Sequence, residues 1–485
     1  MFEPEQLEAP LLEALLACSS RCGMGFHMPG HGRGRGLPRE FGSLSGTDLF
    51  AMDVTELPGL DDLHRPTGVI ARAMGLASRA WGAGHSFFLV NGTTCGLQAL
   101  ILATCTEQDT VIMPRDVHRA VMGGLVLTGS RPCYVEPEVV KGFGLTAGAE
   151  PGKIVAAMEM ELQSRAVLVT HPNYYGITTD LKTLAGEVQA RGSLLFADEA
   201  HGAHLHFHPG LPGDALALGA DAAVQSVHKT AGALTQSSIL HLRGGGINPG
   251  RVAAALRLLE TSSPSYILMA SLDAARRQLA CQGEEILSRI LSKSAEMRRG
   301  LREVPGLQVL EQEHLPAGNF ELDRTRLVVS VTGLGLTGFQ VAEFLRKRYD
   351  IQPEMADYHN VVFLLGPGLA DEHGPALVEA MRDLAVKERS APLSGQPFLV
   401  PPAPPLRKTP RQAWLSRSRR VALDEAAGLV SAEMIAVYPP GIPAVCPGEE
   451  LTPEIVEYLL AVRKLKLIVQ GPLDLSLTWI EVVEE

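Results

Sequence analysis

The chain has 485 residues, of which 20% are charged, and a formal net charge of -11. Its length allows about two or three domains with sizeable cores, and its acidic balance excludes a polybasic, nucleic-acid-binding surface. Seven scattered cysteines form no CxxC pair, so we expect neither a disulfide framework nor a zinc site. No apolar run is long enough to cross a bilayer, and the N-terminus lacks the basic start of a signal peptide. These features predict a cytoplasmic protein, with small molecules and copies of itself as partners.

The first 65 residues are predicted to be an apolar helix near 11–16 followed by irregular, glycine-rich chain. The glycines and arginines at 30–36 could cradle an anion, but no strand precedes them, which favours a flexible loop. The acidic pair Asp61 and Asp62 follows. These carboxylates are candidate partners for a cationic substrate, and the simpler interpretation is that they cap a helix.

A predicted strand at 87–90 runs into a turn of small residues that opens the next helix. The turn contains Gly92, Thr93 and Thr94. Free N–H groups, hydroxyls and the helix dipole at such a helix start favour a phosphate group. An ordinary capped turn would have the same kind of sequence, so the turn alone leaves both interpretations open.

Two further strands are predicted at 110–113 and 166–169. His118 follows the first strand and could stack on an aromatic ring, although a lone histidine in a loop is usually a surface residue. Tyr174 and Tyr175 follow the second strand, where buried packing is a simpler role than ligand contact.

Two short apolar runs at 194–197 and 221–225 are typical of buried strands in a parallel sheet. Asp198 ends the first run, and Lys229 follows the second. Since the carboxyl ends of neighbouring parallel strands face the ligand crevice, we expect this acid and this amine to lie close together. Pyridoxal phosphate chemistry requires a lysine that forms an imine and an acid that keeps the pyridine nitrogen protonated. Taken singly, Asp198 would be interpreted as a helix cap and Lys229 as a solvated lysine.

Other polar residues lie near these two positions in sequence. His201 could contact the cofactor's phenolic oxygen or a substrate carboxylate, and Ser226 and His228 are candidates for holding the phosphate from the lysine side. Three more histidines alternate as on a strand: His204, His206 and His208. No acid or cysteine completes a metal site with them, so they are interpreted as polar surface and no metal is expected.

The rest of the chain is predicted to form two smaller domains. A long amphipathic helix begins near 271, and strands at 325–332 and 360–365 belong to a small α/β domain that could close over a pyridoxal site. A proline-rich linker and a C-terminal domain follow. The predicted organisation is an arm (1–65), a large cofactor-binding domain (66–265), a small domain (266–388), a linker (389–410) and a C-terminal domain (411–485).

Several separated motifs resemble the ornithine/lysine/arginine decarboxylase family, and within it the short biosynthetic arginine decarboxylases. The motifs are HMPGH at 27–31, DEAHGAH at 198–204, SVHKT at 226–230, LTQSS at 234–238 and YPPGIP at 438–443. The resemblance runs nearly end to end. It implies an α/β, aspartate aminotransferase-like pyridoxal phosphate enzyme of fold-type I. The expected architecture is a mostly parallel central sheet in the large domain, a smaller α/β domain and a C-terminal α+β domain.

The resemblance also implies roles for single residues. Lys229 binds the cofactor, Asp198 holds the ring nitrogen, His118 stacks on the ring, and the turn at 91–96 holds the phosphate. Two acids match family acids as substrate candidates: Glu354 and Asp357. The HMPGH segment is expected near the active site of a dimer, and the TSSPSY segment at 261–266 is expected to contribute to the neighbouring subunit's site, which implies an obligate homodimer. The absence of a receiver-like N-terminal wing argues against a decamer.

The expected reaction is the decarboxylation of a basic amino acid. The resemblance favours L-arginine, giving agmatine and CO2 for polyamine synthesis, with lysine as the main rival and ornithine third. His228 is the candidate that delivers the proton. Sequence motifs do not fix which bond at Cα is broken, so an aminotransferase or another lyase on the same fold stays open. A catalytically silent regulatory homologue is the alternative of another class, and the intact Lys229 and Asp198 speak against it.

Overall fold

The computed structural model describes residues 3–21, 26–42, 47–161, 164–393, 404–438 and 441–484. Residues 394–403 of the predicted linker and 439–440 of the YPPGIP motif therefore lie outside the described residues. None of the helices in the described ranges combines the length and the apolar character needed to span a membrane.

Helices within the described residues are numbered in chain order. They are α1 (Pro10–Arg21), α2 (Arg39–Gly42), α3 (Thr47–Ala51), α4 (Val69–Ala80), α5 (Gly92–Thr104), α6 (Arg119–Thr128), α7 (Pro151–Met160), α8 (Leu181–Ala190), α9 (Val227–Thr230), α10 (Pro249–Leu259), α11 (Tyr266–Arg302), α12 (Gly338–Tyr349), α13 (His373–Lys387), α14 (Pro410–Leu415) and α15 (Pro453–Lys464).

Strands are numbered in the same way. They are β1 (His85–Leu89), β2 (Thr110–Pro114), β3 (Arg131–Val135), β4 (Glu138–Val140), β5 (Leu145–Gly148), β6 (Ser164–Thr170), β7 (Ile177–Thr178), β8 (Leu194–Asp198), β9 (Ala222–Gln225), β10 (Ser238–Leu242), β11 (Gln308–Val309), β12 (Glu321–Leu322), β13 (Arg326–Ser330), β14 (Met355–Ala356), β15 (Asn360–Leu364), β16 (Ser418–Ala422), β17 (Ile435–Tyr438), β18 (Ile442–Val445), β19 (Ile468–Gln470) and β20 (Trp479–Val483).

The chain divides into two compact units. The first unit comprises residues 1–104 and 197–287, and the second comprises 105–196 and 288–485. The domain boundaries predicted from the sequence stay a prediction.

The first unit contains the strands β1, β10 and β9, in that order, and the last two residues of β8, Ala197 and Asp198. β10 is antiparallel to both β1 and β9, and its first residue, Ser238, pairs with Leu89 at the end of β1. Helix α5 packs closely on these strands: a Cβ atom on Gly96 would lie 2.5 Å from Val224 Cγ1. Trp81 and Tyr266 are buried in the core of this unit, together with Leu11 of α1. The predicted first helix is thus confirmed as α1.

In the second unit, β2 lies between β3 and β6 and is parallel to both. All of its residues are buried, as expected for a β-branched and apolar strand covered on both faces. A separate four-stranded sheet has the order β11, β13, β15, β14, and its pairs are antiparallel. The predicted small domain therefore carries an antiparallel sheet.

The C-terminal residues of the second unit form two small antiparallel sheets around α15. Their strand orders are β18, β17, β19 and β16, β20. Apolar residues of α15, including Ile455 and Leu459, pack with Ile480 of β20 and Ile435 of β17. This arrangement agrees with the predicted α+β character of the C-terminal region.

The structure confirms the predicted strands as β1, β2, β6, β8, β9, β13 and β15, and it corrects two details. The long helix predicted from about 271 already begins at Tyr266. The histidines predicted to alternate as on a strand lie at a 3-10 helix, Leu205–Phe207, and one of them, His204, is only 1% exposed. The interpretation of His204 as polar surface is therefore wrong, because a short helix rather than a strand places its side chain in the interior.

Candidate functional site

Asp198 and Lys229 follow neighbouring strands of the first unit. Asp198 ends β8, and Lys229 lies on the single turn of α9 that follows β9. The Asp198 carboxylate is buried and accepts the N–H of Ala200 at 3.2 Å. Burial raises the pKa of Asp198, and the positive charge of Lys229 and the Ala200 N–H offset part of that rise. The acid and the amine predicted to meet are thus close enough to interact electrostatically.

The amine of Lys229 lies against a histidine. Lys229 Nζ is 3.1 Å from His201 Nε2, and His201 is buried. His228, the next residue before the lysine, turns its Nδ1 to the carbonyl oxygen of Ser237 at 3.0 Å. Burial lowers the pKa of His228 and the charge of Lys229 lowers it further, while the hydrogen bond to Ser237 opposes these effects. The neutral ring is therefore favoured, with a proton on Nδ1.

A buried glutamate joins the two strand ends. Glu199 accepts the side-chain N–H of Gln225, the last residue of β9, and the backbone N–H of Ala215, each at 2.8 Å. Burial raises the pKa of Glu199 well above its ordinary value, and nearby Asp214 adds to the rise. Glu199 fastens the end of β8, which carries Asp198, to the end of β9, and the sequence interpretation did not include this residue.

Three hydroxyl groups meet at the start of α5. Thr93 Oγ1 is hydrogen-bonded to Ser226 Oγ, and it also donates to Ser238 Oγ at 3.3 Å. All three side chains are buried. Gly92 has a φ of 76°, a conformation that favours glycine, and the Thr94 side chain is exposed. Hydroxyls grouped at a helix N-terminus form a site suited to a phosphate group.

Ser238 is the member of this hydroxyl cluster that the sequence analysis did not include among the cofactor-binding residues. It lies in the LTQSS motif but begins a strand, β10, that the sequence interpretation did not predict. Its pairing with Leu89 brings it beside the turn that follows β1. The signal was its place directly after the turn at 234–237, at the start of a short apolar run.

The acidic pair near the N-terminus is engaged by backbone groups. Asp61 Oδ2 accepts the N–H groups of Gly68, Ile70 and Ala71 at 2.7–3.3 Å and so caps α4. These bonds lower the pKa of Asp61 although burial opposes the shift. Asp62 accepts the N–H of His64 at 2.8 Å. The simpler interpretation, a helix cap, fits Asp61, and the substrate role of the pair stays a prediction.

The remaining candidates lie in the second unit. His118 caps α6, because its Nδ1 accepts the N–H of Ala120 at 3.2 Å. Asp357 accepts the hydroxyl of Tyr175 at 2.9 Å and the backbone and side-chain N–H groups of Asn360. Glu354, by contrast, is exposed. Burial raises the pKa of Asp357, and these hydrogen bonds offset part of the rise. The ring-stacking and substrate roles stay predictions.

The donor set of the first unit fits pyridoxal phosphate. A primary amine beside a buried acid suits the aldehyde and the ring nitrogen, and the hydroxyl cluster at a helix start suits the phosphate. Within the described ranges, no group of His, Cys, Asp and Glu side chains is arranged to hold a metal ion.

Comparison with known proteins agrees with this chemistry. Residues 9–322 match the model for the Orn/Lys/Arg decarboxylase major domain, and residues 400–470 match the C-terminal domain of the same family. An arginine decarboxylase of Bacillus subtilis is 37% identical, with 99% of each chain covered. An arginine decarboxylase of Bacillus anthracis is 36% identical, with 100% of this chain and 99% of the relative covered. The chain belongs to the Orn/Lys/Arg decarboxylase family.

A solved structure supports the fold. The lysine decarboxylase LdcF of Francisella novicida superposes with a TM-score of 0.85 at 20% sequence identity, covering 99% of this chain and 82% of that chain. This likeness shows the shared fold alone. The α/β fold with a mostly parallel central sheet and a C-terminal domain, as predicted from the sequence, is confirmed.

Proposed function

We propose that this chain is a pyridoxal phosphate-dependent decarboxylase that converts L-arginine into agmatine and CO2. The observation that carries the proposal is the placement of Lys229 beside buried Asp198, next to a hydroxyl cluster at the start of α5. The choice of arginine is supported by full-length relatives at 36–37% identity that are named arginine decarboxylases.

The chain's own residues divide the work. When bound, pyridoxal phosphate supplies the electron sink that accepts the electron pair left on Cα as CO2 departs. Lys229 would hold the cofactor's aldehyde carbon, and Asp198 would keep a proton on the ring nitrogen. Thr93, Ser226 and Ser238 bind the phosphate with the N–H groups of the turn at Gly92. His228 is the candidate for returning a proton to Cα, and burial lowers its pKa.

The guanidinium of the substrate needs an acidic partner. Asp61 and Asp357 already accept several hydrogen bonds from the chain's own N–H and O–H groups, whereas Glu354 is exposed. The proposed candidates for that partner stay the four predicted acids, Asp61, Asp62, Glu354 and Asp357, the last two of which the resemblance of the motifs to the family implies. His118 remains the proposed ring-stacking residue.

The proposal extends to the setting of the enzyme. We propose that it works in the cytoplasm as a homodimer, with the segment at 261–266 contributing to the neighbouring subunit's site, and that its agmatine enters polyamine synthesis. The domain boundaries given above, with a large cofactor-binding domain at 66–265, are part of the same proposal. The resemblance of the motifs to the family supports each of these statements.

The test is CO2 release by the purified protein with added pyridoxal phosphate, using arginine, lysine and ornithine separately at matched concentrations. We expect release from arginine. Release from lysine alone would move the substrate to the main rival. No release, with visible absorbance of lysine-bound cofactor, would favour transamination or elimination, and the absence of that absorbance would favour a catalytically silent homologue.

Lys229→Ala provides the control for the site. This variant should lose both the absorbance of lysine-bound cofactor and all turnover, because no other side chain replaces the amine. Lys347→Ala, which removes a lysine that is 66% exposed on α12, should retain both. Sustained CO2 release by Lys229→Ala would contradict the assignment of the site.

A further inference from the structure

Glu260 lies directly after α10 and reaches the turn at the start of α5. Its Oε1 accepts the N–H of Val90 at 3.3 Å, and burial together with the nearby charge of Glu260 raises the pKa of the Cys95 thiol. Glu260 is 8% exposed and Cys95 is 4% exposed. A carboxylate that directly follows another helix thus binds the turn at Val90, three residues before Thr93 of the hydroxyl cluster.

This arrangement meets a requirement of the turn itself. The chain leaves β1 at Leu89 and must bend through Gly92, at a φ of 76°, before α5 begins. The N–H of buried Val90 lies just beyond the end of β1, and a buried N–H group without an acceptor costs free energy. Glu260 supplies the acceptor. It therefore fixes the direction in which the following N–H groups and the Thr93 hydroxyl point.

The backbone carbonyl groups on both sides of Glu260 also bind the turn after β1 and the loop at 61–64. The Asn91 side chain donates to the carbonyl oxygen of Leu259 at 3.4 Å, and the carbonyl oxygen of Thr261 lies 2.8 Å from His64 Nε2. Glu260 stands between these two contacts. Burial raises the pKa of Glu260, while hydrogen bonding to the turn and the nearby His64 oppose that rise.

We propose that Glu260 is a positioning residue for phosphate recognition: its carboxylate holds the turn at 90–95 in the shape that binds the cofactor's phosphate. This role rests on the proposed function, because it presupposes that the turn binds pyridoxal phosphate. Glu260 binds the turn at the proposed phosphate end of the site, whereas Lys229 and Asp198 act at the aldehyde end. Loss of Glu260 should therefore weaken the phosphate contacts selectively.

The test compares two ligands by absorbance titration of the cofactor-free protein. Pyridoxal phosphate and pyridoxal share the ring and the aldehyde, and only the first carries a phosphate. In Glu260→Ala we expect the dissociation constant for pyridoxal phosphate to rise about tenfold or more, and that for pyridoxal to stay within about twofold. Glu260→Gln keeps an acceptor oxygen at the same place, so it should restore pyridoxal phosphate binding to within about threefold of the unsubstituted protein.

The control removes a cap at the other end of the same helix. Asn248 caps α10 by accepting the N–H of Gly250 at 2.8 Å, so Asn248→Ala weakens α10 without touching the turn. It should leave the ratio of the two dissociation constants unchanged. If Glu260→Ala does not fold, Glu260→Asp takes its place, because its shorter side chain does not reach Val90; it should lose selectivity where Glu260→Gln keeps it.

The outcomes separate the positioning role from the proposed function. An equal loss of affinity for both ligands in the Glu260 variants would mean general damage and would overturn the positioning role. Unchanged affinity for both would overturn it as well. If the folded, unsubstituted protein bound neither ligand, the proposed function itself would fail, and the role of Glu260 would fall with it.

Discussion

Two buried acid–base pairs in this chain are built in opposite ways. In the second unit, Arg115 donates to both carboxylate oxygens of Glu449 at 2.6 and 2.8 Å, and the same carboxylate accepts the N–H of Cys446 at 2.7 Å. In the first unit, the Asp198 carboxylate accepts one N–H at 3.2 Å, from Ala200, and feels the charge of Lys229. One acid is saturated by protein groups, and the other keeps capacity for a further partner.

The Arg115–Glu449 pair is therefore a structural ion pair, whereas Asp198 and Lys229 belong to a binding site. Arg115 also donates to the carbonyl oxygen of Ala444 at 3.0 Å and stacks 4.4 Å from the centre of the Tyr134 ring. Burial would lower the pKa of Arg115, but Cys446 and Glu449 raise it above its ordinary value. This pair links the end of β2 to the C-terminal residues. Burial raises the pKa of both acids, but Glu449 accepts three hydrogen bonds that oppose the rise, whereas Asp198 has only the charge of Lys229 and one N–H; a buried acid with so few partners is typical of residues kept for function.

The largest effect is expected when the saturated pair is broken. Glu449→Gln removes the carboxylate and leaves the Arg115 charge buried, so the free energy of unfolding should fall by about 3–5 kcal/mol. The measurement is denaturant unfolding of the cofactor-free protein at neutral pH. Absorbance of lysine-bound cofactor should remain in the fraction that folds, because Lys229 lies in the other unit.

The neighbouring residue gives a matched control. Glu450 pairs with Arg407 at 2.6 Å, but the Arg407 side chain is 59% exposed. Glu450→Gln should therefore change the free energy of unfolding by about 0–1 kcal/mol. Equal changes in the free energy of unfolding would show that the buried pair stabilises the fold no more than the exposed pair.

Asp198→Asn should raise the free energy of unfolding, whereas Glu449→Gln should lower it. The rate of decarboxylation should fall on the order of 10²–10³-fold, since a neutral amide does not hold the ring nitrogen protonated. The cofactor-free protein should become more stable at pH 7, because burial raises the pKa of Asp198 above its ordinary 3.8. A raised pKa in the folded state means that the ionised carboxylate destabilises the fold at neutral pH.

The pH dependence tests this sign. The stability advantage of Asp198→Asn should be full above the raised pKa and should shrink as the pH falls towards 3.8, where the folded carboxyl is already neutral. Unfolding curves between pH 7 and pH 4 measure it. Asp221→Asn, at the start of β9, should leave the rate within about twofold. A less stable Asp198→Asn protein would remove the contrast between the two pairs.

The contrast also explains what the sequence could predict. Asp198 and Lys229 directly follow two buried apolar runs, so the rule that neighbouring strand ends share an edge was sufficient to bring them together. Glu449 lies 334 residues from Arg115, and no local pattern pairs residues so distant. Glu260 was missed for a similar reason, since it is 170 residues from Val90.

The position of Ser238 could not be predicted from the rule for parallel strands. Its strand, β10, is antiparallel to both of its neighbours, whereas the expectation of parallel strands assigned no residue to such a position. His241 also interrupts the apolar pattern of β10. Its side chain is buried, and its Nδ1 has a hydrogen-bond partner there, Ser86 Oγ at 2.7 Å. A buried histidine inside a strand hides the apolar run on which strand prediction depends.

The smallest expected effect tests this missed residue. Ser238→Ala removes one hydroxyl of the cluster, so the affinity for pyridoxal phosphate should fall about tenfold, in line with one hydrogen bond to a charged group. Ser237→Ala is the control, because Ser237 donates to the carbonyl oxygen of Leu268 at 3.1 Å. Absorbance titration measures both variants. If both lost affinity equally, these serines would act through the folding of β10, and the hydroxyl cluster would reduce to Thr93 and Ser226.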